Sequence, residues 1–250
     1  MLVKAAPRVG KTHGETVCCA GIDPDEGWIR LFPVVFRTLD DVQKFSRWDI
    51  ISYQSRAARD NRVESRRVDH HSIEVIGQVP NSQRQGLLAR HVVVSLTVEH
   101  EQGRSLALIR PIEPKFFFER KDQATFDADA AQFIEWHKRE IDGLFGTGGR
   151  KLSAYQPSHF KFGYRYQTAD GPREGTCQDW EIEATFLRWS REYGESESLR
   201  LLSQRFGEEY AEKGFVLAMG THKAYPSKWL INGILRLDHG MEAQVTPLLL

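Results

Sequence analysis

The chain lacks the compositional marks of a secreted, membrane or nucleic-acid-coating protein. Its 34 Lys and Arg are balanced by 34 Asp and Glu, so no global field draws it to a polyanion, and any such site has to be a local patch. It has three cysteines, two of them adjacent at Cys18 and Cys19, and an odd, unspaced set builds no disulfide framework. There is no Cys-x-x-Cys or His-x-x-x-His pair. Neighbours such as Cys18 and Cys19, or His70 and His71, point to opposite faces of a strand, so neither a metal nor a cofactor is expected. The best apolar run, Phe215-Val216-Leu217-Ala218-Met219, is far shorter than the ~18 residues that span a bilayer. The opening Met-Leu-Val-Lys has no apolar signal region. A cytoplasmic protein without a membrane partner is expected.

What is present is a folding chain. With 40% hydrophobic and 27% charged residues over 250 positions, it lies in the globular range and is long enough for two lobes. Thr16 to Ile22, Trp28 to Phe32, Trp48 to Tyr53, Ser72 to Val79, His91 to His100 and Ser105 to Ile109 are rich in β-branched and aromatic residues. Asp23-Pro24-Asp25-Glu26-Gly27 makes the first two a hairpin, and Glu101-Gln102-Gly103-Arg104 joins the last two. Pro111 and Pro114 end this unit, and the polar stretch from Lys121 to Thr125 marks its boundary. The period then changes: Ala130, Phe133, Ile134, His137, Ile141 and Leu144 recur at three and four, predicting a helix over 127–144. Gly146 to Arg150 reads as a linker.

Beyond it, Phe160, Phe162, Tyr164 and Tyr166 occupy one strand face while Lys161, Arg165 and Gln167 occupy the other. Helices are predicted over 178–193 and 196–213, the second stopping at Gly214. Strands Phe215 to Met219 and Trp229 to Leu237 flank a nine-residue loop. The expected fold class is α+β. A β-barrel-like lobe covers 1–120, a connecting helix and Gly-rich linker cover 121–149, and a mixed α+β lobe covers 150–250.

Four groups of residues carry chemistry. Ala5 to Thr12 nearly spells a P-loop, but too few residues precede it and a strand follows where the motif needs a helix. Asp179 and Glu181 could hold a divalent cation for a nuclease, although two positions apart on a helix their carboxylates diverge, and an acid there more commonly caps. Arg56, Arg59, Arg62, Arg66 and Arg67 stand against only Asp60 and Glu64, a patch suited to phosphates. The bland reading is a solvated helix with i,i+4 ion pairs. Finally, Thr221, His222 and Lys223 emerge at a strand end, where binding residues are often carried. Lys161 and Arg165 complete the expected nucleic-acid-binding set, with Phe160 to Tyr166 read as core rather than as a stacking face.

Several fragments together resemble a known family. Lys11-Thr12, Glu15 to Ile22, Gly27 to Val34, Phe36-Arg37, Asp179-Trp180-Glu181 and Gly220-Thr221-His222 before Trp229 to Leu235 are similar to the bacterial and archaeal dual OB-containing domain family, over nearly the whole chain. The resemblance implies two OB-like barrels, with 150–250 as the second, and a nucleic-acid-sensing role beside other components of a prokaryotic defence system. The consecutive helices over 178–213 depart from a plain OB barrel. The expected function is therefore non-catalytic binding or sensing of DNA or RNA, with a metal-dependent nuclease using Asp179 and Glu181, or a protein-interaction adaptor, as alternatives.

Overall fold

The computed structural model describes residues 1–10, 12–58, 60–142 and 153–241, and for 140–142 the backbone alone. The chain is α+β, as expected. Its first sheet contains β1 (Val3–Lys4), β2 (Arg8–Gly10), β3 (Gly14–Asp23), β4 (Gly27–Val34), β5 (Asp49–Ala57) and β6 (Ser65–Gln78). The order is β1-β3-β4-β6-β5, with β2 beside β3. The sheet is antiparallel except where β4 meets β6. Then come α1 (Asn81–Ala89), β7 (Val92–Val93), α2 (Leu96–Glu101), β8 (Leu106–Ile109), β9 (Ile112–Arg120) and α3 (Gln123–Asp142). The remainder comprises β10 (Phe160–Thr168), β11 (Gly171–Thr176), α4 (Trp180–Tyr193), α5 (Glu195–Leu202), a π-helical stretch (Ser203–Glu209), α6 (Tyr210–Lys213), β12 (Phe215–His222) and β13 (Tyr225–Arg236). These complete two further sheets, β11-β10-β9 and β13-β12-β8-β7.

The strand orders do not close any sheet on itself, so the expected barrel-like lobe is an open sheet. The division expected at residue 120 cuts through two sheets, because β8 pairs with β12 and β9 with β10. The break between sheets falls instead after β6. The linker expected at 146–150 lies outside the described residues, as does the end of the helix expected over 127–144.

Local chemistry explains the other differences. Only Val92–Val93 of the strand expected over 91–100 is strand, and the second half of that segment is α2. Ser95 caps it by accepting from Val98 N at 3.1 Å, and Asp170 accepts from Leu96 N at 2.8 Å, so a carboxylate distant in sequence fixes a helix start among β-branched residues. β7 runs parallel to β8, so 101–104 closes a crossover rather than a hairpin. Pro114 lies inside β9, where an edge strand tolerates the missing N–H. The polar stretch expected as a boundary is the start of α3, capped by Asp122, which accepts from Thr125 N at 2.9 Å. The loop expected over 220–228 is largely strand, with His222 opposite Tyr225.

The apolar run in β12 reads as a strand buried on both faces. Leu217 and Met219 join a core with Phe160, Phe162, Tyr164, Tyr166, Ile182 and Phe206. Val216 and Ala218 enter a second core with Leu2, Val3 and Ala20 of the first sheet. The second core holds the two halves of the chain together. In the first core, Tyr164 is wholly buried and donates to the Phe206 carbonyl at 2.8 Å.

Gly163 shows how closely the β11-β10-β9 sheet is packed. A Cβ there would lie 2.4 Å from the Gly175 carbonyl and 2.5 Å from the Phe117 ring. Replacing Gly163 by Ala is expected to cost about 1–3 kcal/mol through overpacking. Chemical denaturation checks this, with a fall in the midpoint at an unchanged slope.

Candidate functional site

The arginine run is neither a helix nor a uniform patch, and the solvated-helix reading is corrected. Arg56 lies in β5, Arg66 and Arg67 lie in β6, and Arg62 lies in the turn between the strands, while Arg59 falls outside the described residues. Asp60 fixes the turn by accepting from Arg62 N at 3.0 Å and gripping the Arg62 guanidinium with both oxygens. Arg62 Nη1 also donates to the Thr221 carbonyl at 2.8 Å, so this arginine ties the first sheet to β12. Glu64 makes no helical pair with an arginine. It is buried and accepts from Ser105 N and Ser105 Oγ, each at 2.7 Å. Arg66 pairs with Glu26 at 2.5 Å.

Arg56 and Arg67 stand directly opposite each other across β5 and β6. Both are exposed, and neither has an ion-pair partner among the described residues. Like charges so placed destabilise a sheet. The geometry leaves two five-donor forks side by side, with their charge unanswered within the described chain.

Beside them, a cleft of about 1030 Å³ opens where the first sheet meets β12 and β13. Its described lining carries Arg8, Arg30, Arg62, Arg66, Arg67 and Lys223 against one carboxylate, Asp60. A hollow of about 440 Å³ shares His13, Pro33 and Arg67 with the cleft and adds Arg56, His70 and one carboxylate, Asp69, which among the described residues forms no ion pair with either arginine. Two groups singled out in the sequence, the arginine run and Thr221-His222-Lys223, thus meet at one opening. His222 Nδ1 accepts from Ala224 N at 3.2 Å, which leaves Nε2 to donate, and its ring stacks on Tyr225 at 5.4 Å. Thr221 is 6% exposed, and its part in the architecture is the carbonyl that holds Arg62.

Arg30 also lines the cleft and is 2% exposed. Arg30 donates to Ser105 Oγ at 2.8 Å and to the Ser105 carbonyl at 2.9 Å. Burial lowers its pKa, and the carboxylates of Glu64 and Asp60 act in the opposite direction. Cys18 lines the cleft beside it, with its thiol pKa pushed up by burial.

The remaining expected site residues lie elsewhere. Lys161 pairs with Glu119 at 2.7 Å and Arg165 with Glu174 at 2.6 Å, on the outer face of β10 and away from the cleft. Their acidic neighbours come from β9 and β11, which the sequence reading missed. Asp179 and Glu181 do not diverge: both reach Arg47 Nη2 at 3.1 Å. Asp179 also caps α4 through Glu181 N at 2.9 Å and accepts from Ile234 N at 3.0 Å. A guanidinium therefore stands where a nuclease would place its cation, and among the described residues no cluster of three or more metal-ligating side chains occurs.

Sequence reasoning missed Arg8, His13, Arg30, Phe32 and Asn232. Arg8 was visible only as part of the rejected P-loop. Phe32 is 44% exposed, with its ring 6.2 Å from and edge-on to His13. Asn232 carried a usable signal, as the one polar side chain in the apolar stretch from Trp229 to Leu235.

A family model described as Domain of unknown function (DUF8758) matches residues 1–94, and a second, Domain of unknown function (DUF8757), matches residues 90–246. The cleft lies on the junction between the two matched regions. No curated protein and no solved structure matches the chain.

Asp60 makes the turn at this junction sensitive to acid. Burial raises its pKa, but the hydrogen bonds from the Arg62 side chain and backbone outweigh that and hold it down to about 2, from an ordinary 3.8. A depressed carboxylate contributes stability above its unfolded value and loses it as the pH falls through the folded value. The wild type is therefore expected to lose stability between about pH 3.8 and pH 2 in a step that Asp60→Asn lacks. Denaturation midpoints measured across that window check this.

Proposed function

We propose, for a chain that belongs to the family described as Domain of unknown function (DUF8757), that the junction cleft binds nucleic acid and that the protein acts by recognition rather than hydrolysis. The observation that carries this reading is the facing pair Arg56 and Arg67, both lining the hollow beside the cleft and Arg67 lining the cleft as well. A folded chain gains nothing from placing two unpaired guanidinium groups across one pair of strands, whereas a phosphodiester between them removes the repulsion and is held by charge-assisted forks. Arg8, shared with Gln178 at 2.9 Å, and Arg66 extend the positive surface along the cleft. Phe32 and His222 supply ring faces for bases, as in single-strand binders. Arg62 serves the architecture, and Lys161 and Arg165 take no part.

Binding of this kind works through the release of condensed counterions, so it weakens with salt in proportion to the phosphates held. The defence setting implied by the dual OB resemblance belongs to the same proposal. This chain recognises the nucleic acid, and any cleavage is carried by a separate component. The commitment of Asp179 and Glu181 to Arg47 supports that division of labour.

Salt titration of binding to labelled DNA and RNA strands tests the reading. Arg56→Ala with Arg67→Ala is expected to lower affinity and to reduce the log–log salt slope by about 1.4 on single strands, at ~0.7 per phosphate contact. The same variant should be as stable as the wild type or up to about 1 kcal/mol more stable, because a like-charge pair has been removed. Unchanged affinity and slope would sink the proposal.

A further inference from the structure

Asn232 occupies a position that strand pairing alone does not explain. In the ladder of β12 and β13, Ala218 faces Gly233 and Met219 faces Ile231, so Asn232 is the extra residue of a β-bulge. Bulges re-aim a side chain out of the regular alternation and are enriched beside functional sites. The Asn232 carboxamide lies so close over Gly220 that a Cβ at that position would be 2.1 Å from Nδ2. Glycine at 220 is thus a condition for the amide to lie where it does. The amide lines the cleft together with Ala5, Ala6 and Leu230, which offer no side-chain hydrogen-bonding groups. Asn232 is itself only partly exposed, and its side chain has no hydrogen-bond partner among the described residues. A half-buried carboxamide presenting a donor and an acceptor in one plane to the cleft matches the edge of a nucleobase, which presents the complementary pair.

Resting on the reading of the cleft as a nucleic-acid site, we propose that Asn232 reads the edge of an unpaired base and that the ligand class is single-stranded nucleic acid. A base still paired in a duplex has its Watson–Crick edge occupied and cannot leave the stack without an unpairing cost. A recess is reached only by a base that is already free. The arginine pair then holds the strand by its phosphates, without regard to sequence, while Asn232 distinguishes a strand with bases from a bare polyanion. The bulge and Gly220 are the local features that make this possible. Neither has a role in phosphate binding.

The experiment measures binding by fluorescence anisotropy with four probes: a single-stranded oligonucleotide, an abasic strand of equal length, the matching duplex, and inorganic polyphosphate. For the wild type, the base-bearing strand should bind at least tenfold more tightly than the abasic strand and the duplex, about tenfold being the share expected from two amide hydrogen bonds formed away from bulk water, with ring stacking adding to it. Asn232→Ala should weaken the base-bearing strand about tenfold, leaving only the preference over the abasic strand that stacking on Phe32 and His222 supplies, while abasic and polyphosphate affinity and the salt slope stay unchanged. Asn232→Leu, which fills the same space without polar atoms, should behave alike and guards against a collapsed bulge. Equal wild-type affinity for base-bearing and abasic strands would overturn this inference while leaving the arginine site standing, as would a wild-type preference that both substitutions leave undiminished. Failure to bind any of the four probes would overturn the nucleic-acid reading together with it.

Discussion

The arrangement of this protein depends on how one buried guanidinium is satisfied. Arg30 lies in β4 with almost no solvent contact, and an unpaired charge in that position would be prohibitively costly. Ser105 answers it from the other half of the chain. Its hydroxyl and carbonyl accept from Arg30, while its hydroxyl and N–H donate to Glu64, so the serine is wedged between a buried cation and a buried anion. Thr221 N then donates to the same Ser105 carbonyl at 3.0 Å, which ties β12 into the network. Breaking a buried pair of this kind by removing one partner is far more damaging than replacing the whole set. The network therefore fixes the relative position of the two regions matched by separate family models, and with it the walls of the cleft.

Other arginines do the same work around the perimeter. Arg47 reaches Asp179 and the Ile234 carbonyl, Arg62 reaches the Thr221 carbonyl, and Arg8 reaches Gln178. Each spans the junction, and Arg47 and Arg62 use the several donors of a planar fork to satisfy groups on two elements at once. Against this background Arg56 and Arg67 are the exception. They have the same chemistry and lie close to the same cleft, but their charge is left unanswered by the described residues. In a neutral chain whose other cleft arginines are mostly engaged, the proposed binding site rests on this separation between architectural and available cations rather than on a count of positive charge.

Much of the architecture was legible from local pattern. Alternation at Phe160 to Tyr166 placed four aromatics in the core and Lys161 and Arg165 outside, because strand parity is a property of the backbone. The apolar run at Phe215 to Met219 and the stop at Gly214 were readable for the same reason. What misled was chemistry supplied from far along the chain: Asp170 turned a β-branched stretch into α2, and an edge position allowed Pro114 into β9. Within the site, the arginine run and Thr221-His222-Lys223 at the end of β12 were both visible. Their meeting was not.

The sequence by itself determined the α+β class, the core faces of the main strands, the lack of any global field, and two local clusters of polar and basic residues. Only the tertiary structure decided which of those residues are available. Pairing of β5 with β6 set Arg56 opposite Arg67, Asp60 and the Thr221 carbonyl claimed Arg62, and Arg47 claimed Asp179 and Glu181. The physical reason is that a charged side chain's role depends on its desolvation and on the nearest opposite charge. Both are set by partners distant in sequence, which no local spacing records.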